Sequence, residues 1–324
     1  MRYISPIVAA CAGLCVHLGA GPVAATELNC QQIRLIAPFG AGGSADVATR
    51  VIAEKLEPLL KKTVVVENRP GATGNIGTQA VVNAAPDGCT MVVNGTVIAT
   101  FPHSFAQLGY DPFKDLVPIG SIGTTPNVFV SGPNLPANDV KGLVKLAKER
   151  SGGINYGTSG YGLQQHLVVE VLAHKTGAKF VQVSYKSAPA IVTDLLADRV
   201  EFGSLLIGTT KALIEDKKLK AIAVVQDKRS SLLPDVPSTA EQGFPGIIGA
   251  VHFVVFAPGA TPKPIVEMLD GALRQIVSDP KVKDRFFGIG FEATPMTSAE
   301  VTAEMRRTAD AFAPIIKTLD LKLK

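Results

Sequence analysis

Tryptophan is absent from this sequence of 324 residues, and only four cysteines and five histidines occur. The formal net charge is only +4, and no basic stripe with interleaved aromatic residues is found, so nucleic-acid binding has little support. The histidines and cysteines form none of the spacings that bind metal ions, and no serine lies in a complete nucleophile elbow. These absences disfavour an enzyme, and we expect no metal and no cofactor.

The N-terminus has the pattern of a signal peptide. Arg2 supplies a positive charge, residues 4–18 are mostly apolar, and small residues at Ala24 and Ala25 permit cleavage. The apolar run is shorter than the roughly 20 residues that a membrane anchor needs. We therefore expect residues 1–25 to be removed and the mature protein to be exported.

Export leaves two cysteines in the mature chain. Cys11 and Cys15 lie in the signal segment, whereas Cys30 and Cys89 each precede an apolar run typical of a strand. Parallel neighbouring strands would bring the two sulfurs together at one edge of the sheet, so we predict a disulfide. Two unrelated buried thiols remain the alternative, because spacing cannot prove a pairing.

Strand-like runs alternate with helical periodicity along most of the chain, which indicates an α/β fold with mainly parallel sheets. A passage rich in proline and glycine, residues 101–126, separates a first α/β unit from a strand over Val128 to Ser131 and a second unit. The last third is rich in helices and poor in strands, so we expect it to pack back on the first unit.

Two domains with a ligand cleft between them follow from this arrangement and from the length of the chain. The first is discontinuous, with residues 26–125 and 251–324, and the second has residues 126–250. Two hinge strands are expected near Val128 and Val254.

Two loops rich in glycine and serine each connect an apolar run to a helical pattern. They are Phe39 to Asp46 and Thr158 to Gly162. Free backbone N–H groups and the positive end of the helix dipole favour an anion at a helix N-terminus, so the pair predicts an anion between two lobes. The first loop also satisfies a relaxed dinucleotide fingerprint, but export and the carboxylate of Asp46 count against a dinucleotide.

Asp46 and His166 each lie in the first turn of the helix that follows a loop. For Asp46 we favour a structural role, in which it complements the helix dipole and holds the glycine loop. His166 either points at the ligand or serves as a hydrogen-bonded scaffold residue, and the sequence leaves both open.

Motifs spread over nearly the whole mature length resemble the Bug-type solute-binding receptors of tripartite tricarboxylate transporters. Together they are highly specific. They are PFGAGGSAD at 38–46, VVVENRPG at 64–71, PDGCT at 86–90, YGTSGYG at 156–162, YKSAP at 185–189, DLL at 194–196, LPDVPSTAE at 233–241 and APGATP at 257–262.

The resemblance implies a two-lobed periplasmic binding protein of type II-like, Venus flytrap form, in which each lobe is a mostly parallel sheet flanked by helices. It implies a receptor that closes on a small carboxylate (a dicarboxylate, tricarboxylate or aromatic carboxylate) and delivers it to a membrane transporter, and we expect the receptor to be a monomer. A ligand-dependent co-receptor for a membrane sensor is the alternative. The implied ligand-binding residues are Phe39, Ala41, Gly42, Gly43, Ser44, Asp46, Thr96, Thr158, Ser159, Gly160, Gly162, His166, Lys186, Ala188 and Leu205.

The chain departs from the family pattern at two positions. Leu205 stands where many members carry an aspartate that meets a ligand ammonium group, and His252 stands where many carry tryptophan. A ligand amino group would lack its usual partner, so we expect an acid without one. We also expect Leu205 and His252 to mark where ligand identity is decided.

Overall fold

The computed structural model describes residues 28–247 and 249–319. The predicted signal peptide, residues 1–25, lies outside these ranges. Within them, no helix is long and apolar enough to cross a membrane.

Strands and helices alternate along the described chain. The strands are β1 (Gln32–Ala37), β2 (Thr63–Asn68), β3 (Thr90–Gly95), β4 (Leu116–Ser131), β5 (Ile154–Thr158), β6 (Phe180–Ser184), β7 (Phe202–Leu206), β8 (Lys220–Val224) and β9 (Ala250–Pro258). The helices are α1 (Ser44–Leu60), α2 (Asn75–Val82), α3 (Phe101–Ser104), α4 (Val140–Glu149), α5 (Gln164–Thr176), α6 (Ala188–Leu196), α7 (Ile207–Glu215), α8 (Lys263–Ser278), α9 (Pro280–Gly288) and α10 (Ser298–Thr318).

The strands form two sets that share β4. Strands β2, β1 and β3 are parallel neighbours, and β3 pairs antiparallel with β9, which pairs in turn with β4. On the other side, β6, β5 and β7 are parallel, and β7 and β8 pair antiparallel with β4. Parallel βα units therefore make up both ends of the order, and the α/β prediction is confirmed.

Strand β4 is the main correction to the sequence-based elements. We expected a strand only over Val128 to Ser131, but it begins at Leu116 and includes the end of the passage that was expected to separate the two units, residues 116–126. Pro118 and Pro126 argue against a strand in the sequence. A shift in the β4–β9 register lies beside Pro118, and Pro126 lies where β4 ends its pairing with β9 and begins its pairing with β7.

Both β4 and α10 connect the two sets of strands. The first part of β4 pairs with β9 up to Pro126, and the part from Asn127 onward pairs with β7. Met305 of α10 packs in the core cluster of β3 and β9, whereas Phe312, two turns later, packs in the cluster of β5 and α5.

The predicted disulfide between Cys30 and Cys89 is confirmed, with 6.3 Å between the Cα atoms. Its cause is the parallel pairing of β1 with β3, in which Arg34 lies opposite Thr90, so the segments that precede the two strands meet. The backbone N–H of Arg34 donates to the carbonyl of Cys89 at 2.8 Å, which fixes this register. Closing a loop of this length stabilises a fold by about 4 kcal/mol on the chain-entropy model.

Candidate ligand-binding cleft

The N-termini of α1 and α5 open on the same cavity, which we call the cleft. Helix α1 begins after Gly43 and α5 after Leu163, and at neither start does a side chain of the N-cap residue accept a hydrogen bond. The cleft holds about 580 Å³ of empty space, part of it open to solvent. Its lining comprises Phe39, Gly40, Gly43, Ser44, Ala45, Asn94, Gly95, Val97, Ser159, Leu163, Gln164, Gln165, Ser187, Ala188, Leu206, Thr209, Val251 and Phe253.

No charged side chain occurs among the described residues that line the cleft. The polar groups are hydroxyls and amides, as in Ser44, Asn94 and Thr209, and the rest of the wall is apolar, with Phe39 and Phe253 as the largest side chains. An anion in the cleft would therefore be held by neutral donors and by the positive ends of two helix dipoles.

Asp46 holds the first loop and is almost fully buried. Its carboxylate accepts from the backbone N–H of Gly42 at 2.9 Å and from the Nδ2 of Asn68 at 2.9 Å, and it pairs with Arg50 at 2.9 Å. Burial opposes ionisation, but the hydrogen bonds from Arg50, Gly42 and Asn68 outweigh it and lower the pKa of Asp46. Both carboxylate oxygens are thus committed to the scaffold.

His166 holds the second loop in the corresponding way. Its Nδ1 accepts from the backbone N–H of Gly162 at 3.1 Å, so the ring proton must lie on Nε2, 3.5 Å from Oε1 of Glu170. The same Glu170 oxygen accepts from the hydroxyl of Tyr156 at 3.1 Å. Of the two roles left open by the sequence, this geometry is that of a scaffold residue.

The two sides of the cleft touch through small residues. The Ser44 and Thr209 hydroxyls lie 2.9 Å apart, although 165 residues separate them in the chain. A Cβ added at Gly40 would lie 2.8 Å from Cβ of Ser187, so this contact requires glycine. These contacts hold the walls of the cleft together.

The predicted site residues divide into three groups. Five of them line the cleft: Phe39, Gly43, Ser44, Ser159 and Ala188. Two others, Gly160 and Lys186, line a neighbouring cavity that shares Phe39 and Ser159 with the cleft, and we call it the outer chamber. The remaining predicted residues are not among the lining of either cavity; they are Ala41, Gly42, Asp46, Thr96, Thr158, Gly162, His166 and Leu205.

Neither of the two positions that we expected to decide ligand identity faces the cleft. Leu205 is buried in a core cluster with Val128, and its neighbour Leu206 lines the cleft instead. His252 lies in a groove between α5 and α10, with Nε2 3.8 Å from Oε1 of Glu304, and burial lowers its pKa. Successive side chains along a strand point to opposite faces, which accounts for both results.

Most of the apolar residues that line the cleft were not predicted from the sequence. Val251 and Phe253 flank His252 in β9 and line the cleft by the same alternation, and Asn94 and Gly95 end β3 beside the loop of α1. The period-2 pattern of β9 could have identified Val251 and Phe253 as one face. Thr209 carries no comparable signal, because only folding brings it to Ser44.

Among the described residues, no group of three or more histidines, cysteines or carboxylates could hold a metal ion.

Known proteins are similar to this chain over most of its length. Residues 48–321 match the family described as tripartite tricarboxylate transporter family receptor. Protein BugT of Bordetella pertussis is 30% identical over 307 residues, which cover 94% of this chain and 94% of that protein.

Solved structures agree with this match. The periplasmic binding protein BugD is 30% identical and has a TM-score of 0.84 over 90% of this chain and 98% of its own. Rpa4515 of R. palustris, solved with adipate, is 29% identical and has a TM-score of 0.85 over 89% of this chain and 97% of its own. The fold is thus that of periplasmic binding proteins, and this chain belongs to the tripartite tricarboxylate transporter receptor family.

Proposed function

We propose that this protein binds the carboxylate group of a small organic acid between the N-termini of α1 and α5, carries out no catalysis, and delivers the acid to a tripartite tricarboxylate transporter. The observation that carries this proposal is the convergence of two helix N-termini, free of side-chain caps, on one uncharged cavity. The adipate held by the R. palustris relative supports a carboxylate ligand.

The free energies of the available hydrogen bonds are sufficient for binding a carboxylate. Hydrogen bonds to a charged group contribute about 1.5 to 3 kcal/mol each, so a handful of them can supply the roughly 8 kcal/mol of micromolar binding after ordering costs. Exclusion of water by the apolar wall strengthens each of them. A cationic side chain is therefore not needed at the carboxylate itself.

The predicted domain division explains how water is excluded. This division assigns residues 26–125 and 251–324 to one lobe and residues 126–250 to the other. The chain crosses between them at β4, where its partner changes from β9 to β7, and near the start of β9. Bending at these crossings would separate Ser44 from Thr209 and open the cleft, and the ligand favours the closed form because it contacts both lobes.

Periplasmic delivery requires export, which the signal-peptide pattern of residues 1–25 supplies. The protein acts as a monomer, and its membrane partner is the transporter rather than a sensor, because the matching family is defined by transport.

Gly43 offers a direct test of the carboxylate site. Its φ of −76° suits any residue, and an added Cβ would meet only the Gly40 carbonyl oxygen, at 3.5 Å. Aspartate and asparagine cap helices about equally well. Gly43→Asp and Gly43→Asn therefore differ mainly by a negative charge at the mouth of α1.

Isothermal titration calorimetry with adipate, hexanoate, malate and benzoate should detect micromolar binding of at least one acid to the wild type. We expect Gly43→Asn to weaken it severalfold and Gly43→Asp to abolish it, at unchanged thermal stability. Equal binding by the two variants would place the carboxylate elsewhere, and no binding of any acid by the wild type would contradict the proposed function.

A further inference from the structure

The groove between α5 and α10 that His252 lines, which we call the back groove, lies on the opposite face of β9 from the cleft. Val251 and Phe253 line the cleft, and the side chain between them, His252, lines the back groove, because successive side chains of a strand alternate. The back groove holds about 1080 Å³ of empty space, part of it open to solvent. Among the described residues, Gln164 alone lines both cavities. The back groove is therefore a cavity separate from the proposed carboxylate site.

Two helix faces form the walls of the back groove. The lining residues of α5 lie three or four positions apart, from Gln164 to Lys175, and those of α10 extend from Glu304 to Ile315. Each wall thus runs along about 16 Å of helix. Val168 and Val171 make the α5 wall apolar in its middle, and Phe312 and Ile315 make the second half of the α10 wall apolar. Such walls favour a ligand with an apolar body, because they offer a small hydrophilic solute few hydrogen bonds.

Four of the described residues that line the back groove have titratable side chains. Glu304 accepts from Nε of Arg307 at 2.9 Å, and its second oxygen lies 3.8 Å from Nε2 of His252. Burial lowers the pKa of His252, so its ring is neutral at pH 7. Lys175 is exposed and has no ion pair or hydrogen bond with a described residue. The charges of Glu304 and Arg307 offset each other, which leaves the ammonium group of Lys175 available to an anion.

We propose that the back groove is a second binding site, which takes an amphipathic anion, a molecule with an apolar body and one acidic group. The apolar body lies between α5 and α10, and the acidic group lies beside the exposed ammonium group of Lys175. Because that group stays in contact with water, little desolvation opposes the ion pair. A cationic ligand would be repelled by Lys175, and a neutral one would gain nothing from it.

Two dyes that differ by one acidic group test this inference. Anilinonaphthalene sulfonate has the rings of phenylnaphthylamine and an added sulfonate, and both dyes fluoresce more strongly in apolar surroundings. Fluorescence titration measures the affinity of each dye for the wild type and for matched variants.

The variants change either the space or the charge of the back groove. Ala311→Phe fills the groove from an exposed position on α10, and Ala303→Phe, exposed on the same helix but outside the groove, is its control. Lys175→Gln removes the cation, and Lys148→Gln, exposed on α4, controls for the loss of one positive charge.

We expect the wild type to bind the sulfonate more tightly than the neutral dye. Ala311→Phe should weaken the binding of both dyes more than tenfold, because the added ring takes the space of the dye. Lys175→Gln should weaken sulfonate binding about twofold to fivefold, the range of one exposed ion pair, and leave the neutral dye unchanged. Both control variants should bind as the wild type does, and so should Gly43→Asp, which alters the cleft.

No dye binding by the wild type, or equal affinities of Ala311→Phe and Ala303→Phe, would overturn the second site. Loss of dye binding in Gly43→Asp would place the dye in the cleft and overturn it as well. Unchanged sulfonate binding in Lys175→Gln would overturn the assignment of an anion.

A wild type that sediments as a dimer, and as a monomer in Ala311→Phe, would identify a second copy of the chain as the occupant instead. None of these results depends on carboxylate binding in the cleft, which calorimetry measures separately.

Discussion

The two glycine loops have the same backbone geometry, but different side chains hold them in place. Gly42 and Gly162 both have φ in the left-handed region, at 78° and 71°, and each lies two residues before a helix. In both loops the N–H of this glycine donates to the side chain four residues later, which is Asp46 in the first and His166 in the second.

The surroundings of the two acceptors differ. Asp46 is an ionised group with three donors, one of which is the cation of Arg50. His166 accepts with a neutral nitrogen and lies edge-on to the ring of Tyr161, with 5.3 Å between the ring centroids. The comparison teaches that the shared requirement is an acceptor at this position that orients the loop, and that the charge of Asp46 is neutralised by the scaffold.

Removal of the side-chain acceptor should reduce stability and ligand binding more in the first loop than in the second. Asp46→Ala removes the side-chain acceptor of the Gly42 N–H, one of the two acceptors of the Asn68 amide, and the carboxylate that pairs with Arg50. We expect a loss of about 3 kcal/mol in the free energy of unfolding, measured by urea denaturation, and more than tenfold weaker ligand binding. A loss below about 1 kcal/mol would show that Asp46 does not hold the loop.

The pH dependence of Asp46→Asn separates charge from shape. Because the folded-state pKa of Asp46 is lowered, its carboxylate stabilises the protein above the unfolded value of about 3.9 and loses this contribution as the pH falls through the folded-state pKa. The stability difference between wild type and Asp46→Asn should therefore narrow toward low pH. A difference that does not change with pH would contradict a role for the charge.

Removal of the acceptor in the second loop should reduce the stability of the protein less. His166→Ala removes a neutral acceptor and the ring N–H that faces Glu170, and we expect a loss of about 1.5 kcal/mol in the free energy of unfolding, again by urea denaturation. His174→Ala, at an exposed position near the end of the same helix, is the matched control. A loss in His166→Ala as large as that in Asp46→Ala would remove the distinction between the loops.

Replacement of the left-handed glycine should reduce stability by a similar amount in the two loops. Gly42→Ala and Gly162→Ala each force a side chain into the left-handed region, which costs about 1 kcal/mol in either loop. Gly152→Ala, where an added Cβ meets nothing within 4 Å and φ lies outside that region, should cost little. Thermal unfolding of the three variants measures this, and unequal costs at residues 42 and 162 would argue against a common geometry.

The smallest effect should come from the contact across the cleft. Thr209→Val removes the hydroxyl that lies 2.9 Å from Ser44, which weakens the closed form, and we expect about threefold weaker ligand binding by calorimetry. Thr209→Ser keeps the hydroxyl and should bind as the wild type does. If both variants bind equally well, the contact does not contribute to closure.

Much of the fold could be predicted from local patterns. Helical periodicity extends over Gln164–Thr176 and a strand-like run over Phe180–Ser184, which are the residues of α5 and β6, and Asp139 caps α4 by accepting from the N–H of Gly142 at 2.6 Å. Each of these depends on residues close together in the chain. Strand β4 was only partly predicted, because its prolines are tolerated through irregular pairing with a strand about 130 residues away.

The candidate site was predictable to a lesser degree. Ser44 and Ser159 could be identified because they lie in loops whose composition marks them. Leu205 and His252 were assigned from family positions, and each lies beside a residue that lines the cleft. A position in a motif does not specify the face of a strand.

The sequence by itself determined the alternation of strands and helices, the two glycine loops and the family, because these features reside in local spacing and residue type. Only the tertiary structure decided which side chains line the cleft. Leu206 and Thr209 reach the cleft, and Lys186 the outer chamber, through strand pairing and the approach of distant segments. Such contacts depend on sheet order and close packing, which no local pattern encodes.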